Sequence, residues 1–225
     1  MAIALRSQAF TGYGTRTNIT ITAPSGITDG DILVASITTV KGAGETPPTP
    51  SLTGFTLIGT PTTIDAGGVT MRLFRLWKRA ASESGDYTFT HTSADSDGLL
   101  QCFSGCLASG APLTTESINT GNSSTATGTG ITTTAANSWL LYTMSCYDFL
   151  GDLTVPTGMT EQHDSGSSIT YSATELIAAA GATGNRTQTI TSSPWSVGMT
   201  ELLAAAAAAT DDGAAARSGS TFLLM

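Results

Sequence analysis

The sequence predicts an all-β protein, an antiparallel β-sandwich or jelly roll built from two pseudo-repeats of four to five strands each. Three observations carry that expectation. The first is composition: the 225 residues include 41 Thr and 24 Ser, while charged residues make up 12 % and hydrophobic ones 40 %. Thr is a poor helix former and a good strand former, and scarce Lys and Glu leave little from which to build long helices. That apolar content argues against disorder, and a chain of this length can bury a core without a disulfide or a metal. The second observation is a series of short apolar or alternating runs separated by turn residues. The third is that their order recurs about a hundred residues later in the same chain.

Residues 31–40 open the series with the apolar run Ile32-Leu33-Val34-Ala35, which suits a central strand buried on both faces. A Pro/Gly loop over 41–51 follows, and a strand restarts at 54–58. Residues 69–78 are apolar at 69, 71 and 73 and then at 74 and 76; the slipped phase predicts a bulge. Residues 85–92 alternate, with Tyr87, Phe89 and His91 on one face and three threonines on the other, and a strand over 99–107 closes the set.

In the second half Trp139 to Thr143 answers Ile32 to Ser36, each run preceded by a polar turn (Thr28-Asp29-Gly30-Asp31; Ala135-Ala136-Asn137-Ser138). Gly158-Met159-Thr160 answers Gly54-Phe55-Thr56, and residues 169–179 answer 69–79. The closest match sets Gly85-x-x-Thr88-x-Thr90-x-Thr92-Ser93 against Gly184-x-x-Thr187-x-Thr189-x-Thr191-Ser192. Gly98 is paired with Gly198, and Phe10-x-Gly12 with Ile118-x-x-Gly121. One face is more polar in the second copy, where Arg186, Gln188 and Ile190 stand for Tyr87, Phe89 and His91. A four-stranded unit buries one face only, so two units packed face to face complete a sandwich. The reading is one domain over 1–209, with repeats at about 1–107 and 113–209, and a C-terminal tail at 210–225.

A net charge of −8 with nine Lys plus Arg argues against nucleic acid, which demands a basic face. Arg72, Arg75 and Arg79 read as a basic strand end. No apolar run approaches the length of a membrane span, and no secretory leader is expected at the start. Cys102, Cys106 and Cys146 are an odd set. Four residues apart on a strand, the first two would stand about 13 Å from each other, so buried free thiols are expected.

Candidate chemistry is sparse. Asp95-Ser96-Asp97-Gly98 places two carboxylates at i and i+2 before a glycine, a fragment of a Ca²⁺ loop, though the position of the loop's final Glu is Cys106. An Asp-rich turn is the simpler reading. Trp195, next to Pro194, is the one tryptophan expected as an exposed platform for stacking on a sugar, while Trp139 reads as core. His91 reads as a satisfied edge residue and His163, beside Asp164, as part of a turn. Neither has zinc-ligand spacing, and no Gly-x-Ser-x-Gly elbow is present. No catalytic residue and no cofactor are expected. The tail ends in Phe222-Leu223-Leu224-Met225, an apolar tip expected to dock on a neighbouring chain or on its own domain.

The strings Gly30-Asp31-Ile32-Leu33-Val34-Ala35, Gly54-Phe55-Thr56-Leu57-Ile58-Gly59 and Ser84-Gly85-Asp86-Tyr87-Thr88-Phe89 resemble a widespread group of tailed-bacteriophage virion proteins. So do Ala136-Asn137-Ser138-Trp139-Leu140, Gly158-Met159-Thr160-Glu161 and Ala180-Gly181-Ala182-Thr183-Gly184-Asn185-Arg186-Thr187. The likeness spans roughly residues 17–207 and rests on turn glycines and strands. It implies a non-enzymatic structural role in the virion, as a capsid decoration protein or, alternatively, as a tail or fibre component that binds a host-surface glycan. It also implies partnership with a phage shell or tail protein and a homo-oligomer, most commonly a trimer. Few lysines (Lys41 and Lys78) guard the edges of the sandwich, which points the same way.

Overall fold

A computed structural model describes residues 2–147 and 153–206. Among them the chain forms eleven strands and no helix. They are β1 (Ala4–Ile21), β2 (Ile32–Gly42), β3 (Thr56–Leu57), β4 (Thr63–Ala66), β5 (Val69–Arg79), β6 (Tyr87–Ser104), β7 (Leu113–Gly128), β8 (Ser138–Cys146), β9 (Thr160–His163), β10 (Thr170–Ile177) and β11 (Arg186–Leu202). They build two antiparallel sheets. One runs β1-β6-β2-β5-β3 with β4 added beside β5, and the other runs β7-β11-β8-β10-β9. Replacing β1, β2, β3, β5 and β6 by β7, β8, β9, β10 and β11 turns the first order into the second. Each sheet is therefore one repeat, and the chain crosses between sheets once, between β6 and β7. Strands of a jelly roll are shared between its sheets, so the fold has the expected sandwich without that topology.

Several turns match at the level of backbone angle. The turn before β2 places Gly30 at φ +92°, and the turn before β8 places Asn137 at φ +57°. Gly85 (φ +73°) and Gly184 (φ +70°) each stand two residues ahead of β6 and β11, in the left-handed region that glycine enters without penalty. The Thr-rich match is a shared bulge. Partner register jumps from Thr90/Asn18 to Ala94/Arg16 between β6 and β1, and from Thr189/Thr125 to Ser193/Ser123 between β11 and β7. Extra residues on one strand bend the ladder. The outer strands turn a corner with it, so that the Thr11 hydroxyl reaches the Thr20 carbonyl and the Asn119 amide reaches the Thr127 carbonyl.

Because each sheet curls, each repeat encloses its own apolar core. In the first, Ile19, Ile21, Leu33, Ala35, Ile37, Phe74, Leu76, Phe89 and Leu100 pack together. In the second, Leu140, Tyr142, Met144, Tyr171, Ala173, Trp195, Val197 and Met199 do so. The opposite faces of β2, β5, β6, β8, β10 and β11 meet in a seam between the repeats. One end of the seam is apolar, formed by Ile32, Val34, Phe103, Leu141 and Leu202. Its middle is polar: Thr38 Oγ1 donates to Ser145 Oγ at 2.8 Å, and Ser172 Oγ donates to Gln101 Oε1 at 3.0 Å.

Four sequence expectations change. β5 pairs with β2 without a break in register from Val69 to Arg79, so it carries no bulge there. The phase slips because both faces are buried, with Phe74 and Leu76 in the core and Met71 and Arg75 in the seam. Arg75 is no part of a basic strand end: it is 2 % exposed, its guanidinium bonded to Thr200 Oγ1 and to Glu116 Oε2 at 3.0 Å. The two runs at 85–92 and 99–107 are one 18-residue strand, β6. Lastly, Gly98 and Gly198 are not equivalent. A Cβ at Gly98 would meet Ile19, Ile21 and Ile37 in the first core, whereas one at Gly198 would meet Arg75 in the seam. By register Gly98 pairs with Ile37 and Val197 pairs with Met144, on the matching faces of the two cores.

Candidate functional site

Asp95 and Asp97 do not form a turn. They lie at alternate positions within β6, held in extended backbone by pairing with β1 and β2 on either side. Asp97 is fully buried in the seam, where Oδ1 accepts from Ser168 Oγ at 3.1 Å and Oδ2 from the Ile169 N–H at 3.3 Å. Burial raises its pKa to about 6, and the donors from 168–170 only partly offset that. Asp95, nearer the surface, accepts from the Tyr13 hydroxyl at 3.0 Å and from the Thr15 hydroxyl. A cation at Asp97 would face the Ile169 N–H and displace the Ser168 hydroxyl. This geometry suits a cross-link between the repeats. Among the described residues no group of three His, Cys, Asp or Glu side chains is placed to hold a metal ion.

Trp195 is not a platform. It is 5 % exposed, packed in the second core, with Nε1 donating to Ser123 Oγ at 3.1 Å. Pro194 lacks an N–H and reads as a loop residue, yet it sits just past the bulge of β11, where the ladder resumes, and the strand carries Trp195 inward. A Cβ on Gly121, its neighbour across the pair, would overlap the indole ring, so that glycine makes room for it. Trp77 and Trp139 are half-buried against the apolar end of the seam. Phe222, Leu223, Leu224 and Met225 lie outside the described residues.

The histidines are more enclosed than expected. His163 closes β9 rather than a turn and is buried beside Phe10, with ring centroids 4.8 Å apart; burial lowers its pKa. His91 lies in the β6 bulge, its Nδ1 on the Thr92 carbonyl and its buried Nε2 without a partner among the described residues, so it is only half satisfied there. All three cysteines are buried, and burial pushes Cys102 and Cys106 up to about 12, which suppresses the thiolate that reacts.

What the fold does assemble is a cleft of about 350 Å³ around Asp95, bordered by Thr15, Lys41, Glu45, Ser93 and Tyr147. Strands β1, β2 and β6 supply Thr15, Lys41, Ser93 and Asp95, while Glu45 lies in the loop after β2 and Tyr147 directly follows β8. Tyr147 is 37 % exposed. Tyr13 meets its ring edge-on at a centroid distance of 6.4 Å and donates its own hydroxyl to Asp95. The sequence signalled only Asp95, because the other members come from distant strands with no local pattern. No family model, no curated protein and no solved structure matches this chain.

Proposed function

We propose that the protein is a non-enzymatic structural component of a tailed-bacteriophage particle, a capsid decoration protein that assembles as a homo-oligomer and stabilises the shell. The observation that carries this reading is the state of the two long outer strands. Among the described residues β1 and β7 each pair with another strand on one side only, and the other side is left largely open, with the Tyr13 N–H taken by the Ser167 carbonyl. Their charges are used internally: Arg6 pairs with Asp31, Arg16 donates to the Gly12 carbonyl, and Glu116 is bound by Arg75. Neither strand holds a lysine. Open, weakly charged edges on a sandwich locked by its own seam fit a protein made to add surface to a neighbour.

The mechanism is mass action: a protein that binds only the assembled lattice stabilises that lattice. The likeness of the turn and strand strings to virion proteins supports the placement, and the trimer follows from that likeness alone. Mass spectrometry of purified particles of the phage that encodes it tests the reading. The protein should be present in many copies per particle, and its absence would end the proposal. A tail or fibre component would appear in few copies, so the copy number separates the two placements.

A further inference from the structure

We propose that the cleft around Asp95 and Tyr147 binds a single neutral sugar ring, the terminal residue of a glycan. This inference stands independently of the virion reading. The cleft has one exposed aromatic face and a polar rim of opposite charges, and its volume of about 350 Å³ lies at the small end of ligand sites.

The aromatic face is positioned. Tyr13 is wedged edge-on against Tyr147 and tied through its hydroxyl to Asp95, so one residue fixes both the ring and the carboxylate. Burial and the bond to Asp95 raise the Tyr13 pKa, keeping the phenol protonated as the donor. Asp95 takes one hydrogen bond on each oxygen, from Tyr13 and Thr15. A carboxylate offers about four lone-pair sites, which leaves capacity for two further donors. Glu45 uses Oε2 to accept the Gly42 N–H at 3.0 Å. Lys41 makes no ion pair among the described residues. The Ser93 hydroxyl lies on the exposed rim.

The rim selects the chemistry. Two carboxylates against one ammonium oppose an anion. Lys41 opposes a cation that the carboxylates and ring would otherwise attract. An aliphatic ligand would strip water from five polar groups and return nothing to them. A sugar ring satisfies the three charged groups: its C–H face lies on Tyr147, its hydroxyls donate to Asp95 and Glu45, and one hydroxyl oxygen accepts from Lys41.

Saturation-transfer NMR on the full chain tests this, with a panel of glucose, galactose, mannose, N-acetylglucosamine and rhamnose, each free and as the terminus of an oligosaccharide. At least one should bind, and Tyr147→Ala and Asp95→Asn should each weaken that binding tenfold or more. Tyr147→Ala removes one edge-on ring contact at the surface and should lower the melting temperature by no more than a few degrees, and a cooperative transition separates loss of the site from loss of the fold. Absence of transfer to every sugar overturns the proposal, as does binding that Tyr147→Ala leaves within twofold. Particle association of the Tyr147→Ala protein reports on the virion reading separately.

Discussion

The seam between the repeats makes a sharp prediction at Gly198. A Cβ there would stand 2.7 Å from Nη1 of Arg75 and closer still to Cζ, inside any distance that real side chains tolerate. Arg75 is 2 % exposed, pinned between Thr200 and Glu116, so it cannot swing aside into water. Gly198→Ala should therefore destabilise the protein by about 1–3 kcal/mol, the usual effect of overfilling a packed interior. In a protein of this size each kcal/mol moves the melting temperature by about 2–4 °C. Arg75→Ala should cost about 3 kcal/mol, the low end for breaking a buried pair. Glu116, with 30 % of its side chain exposed, can turn to solvent. The informative protein is the double variant. With the guanidinium gone the new methyl enters empty space, and Gly198→Ala becomes neutral or favourable by about 0.5–1 kcal/mol, because alanine loses less chain entropy than glycine. Urea denaturation of the four proteins should give a coupling of about 1–4 kcal/mol. Gly98→Ala is the control. It meets Ile19 Cγ2 at 2.8 Å on the opposite face of the sheet, and its effect should simply add to that of Arg75→Ala. Additivity within about 0.5 kcal/mol for Gly198 and Arg75 would refute the seam as described.

Further predictions concern buried groups. Asp97 has a folded pKa of about 6 against an ordinary 3.8, so the folded state holds the extra proton between those values and stability falls as pH rises through them. The linkage amounts to about 3 kcal/mol, and Asp97→Asn should flatten that slope in urea titrations between pH 4 and 7. Glu201 has the opposite sign. Burial works against its carboxylate, but donors from Thr134, Ala135 and Thr114 outweigh it and lower the pKa. Its contribution is full above pH 4.5 and lost as pH falls through the lowered folded value. Glu201→Gln should cost about 1–3 kcal/mol near neutral pH, and the variant's acid limb should be shallower. Trp195→Ala should destabilise by about 3–5 kcal/mol, as for other buried aromatics, whereas an effect under 1 kcal/mol would show an exposed ring. Cys102, Cys106 and Cys146 should resist a thiol reagent in the native protein and react together in denaturant.

Features that depend on local backbone were legible in the sequence. Turn residues before β2 and β8 and the glycines that open β6 and β11 each impose a conformation that a few neighbouring side chains reveal. The Thr-rich strings were legible as a repeat, but their alternation reads as an unbroken strand and hides the bulge they share. The β5 register was not legible. A strand buried on both faces shows no alternation, so apolar content at 69, 71, 73, 74 and 76 cannot say which residue faces which way. Observed pairing places Leu76 opposite Ala35 and Ala173 opposite Tyr142, so the match of 69–79 to 169–179 is three residues out of register. Trp195 misled for a related reason. Proline marks loops on average, but a bulge also accommodates it. The cleft was invisible because Tyr13, Lys41 and Asp95 come from three different strands and Tyr147 from the residue that follows a fourth.

The two repeats divide the work of stability and placement. Apolar area is buried mostly within each curled sheet, and hydrophobic burial is non-directional, so by itself it would let one repeat slide on the other. The middle of the seam removes that freedom with directional contacts: Thr38 to Ser145, Ser172 to Gln101, Ser168 to Asp97 and Arg75 to Glu116. Each links a residue of the first repeat to one of the second, and a shift of one residue along any strand would leave buried polar groups unpaired at about 1–3 kcal/mol apiece. The duplicated unit also had to diverge here. By register Arg75 corresponds to Ser172 and Thr200 to Gln101, so Arg75–Thr200 and Ser172–Gln101 are one contact made in both directions across the seam, with a charged group in the first and neutral groups in the second. The buried Asp97 and Arg75 sit in the first repeat and meet unlike residues of the second, Ser168 for the one and Thr200 with Glu116 for the other, which fixes a single way for the halves to meet.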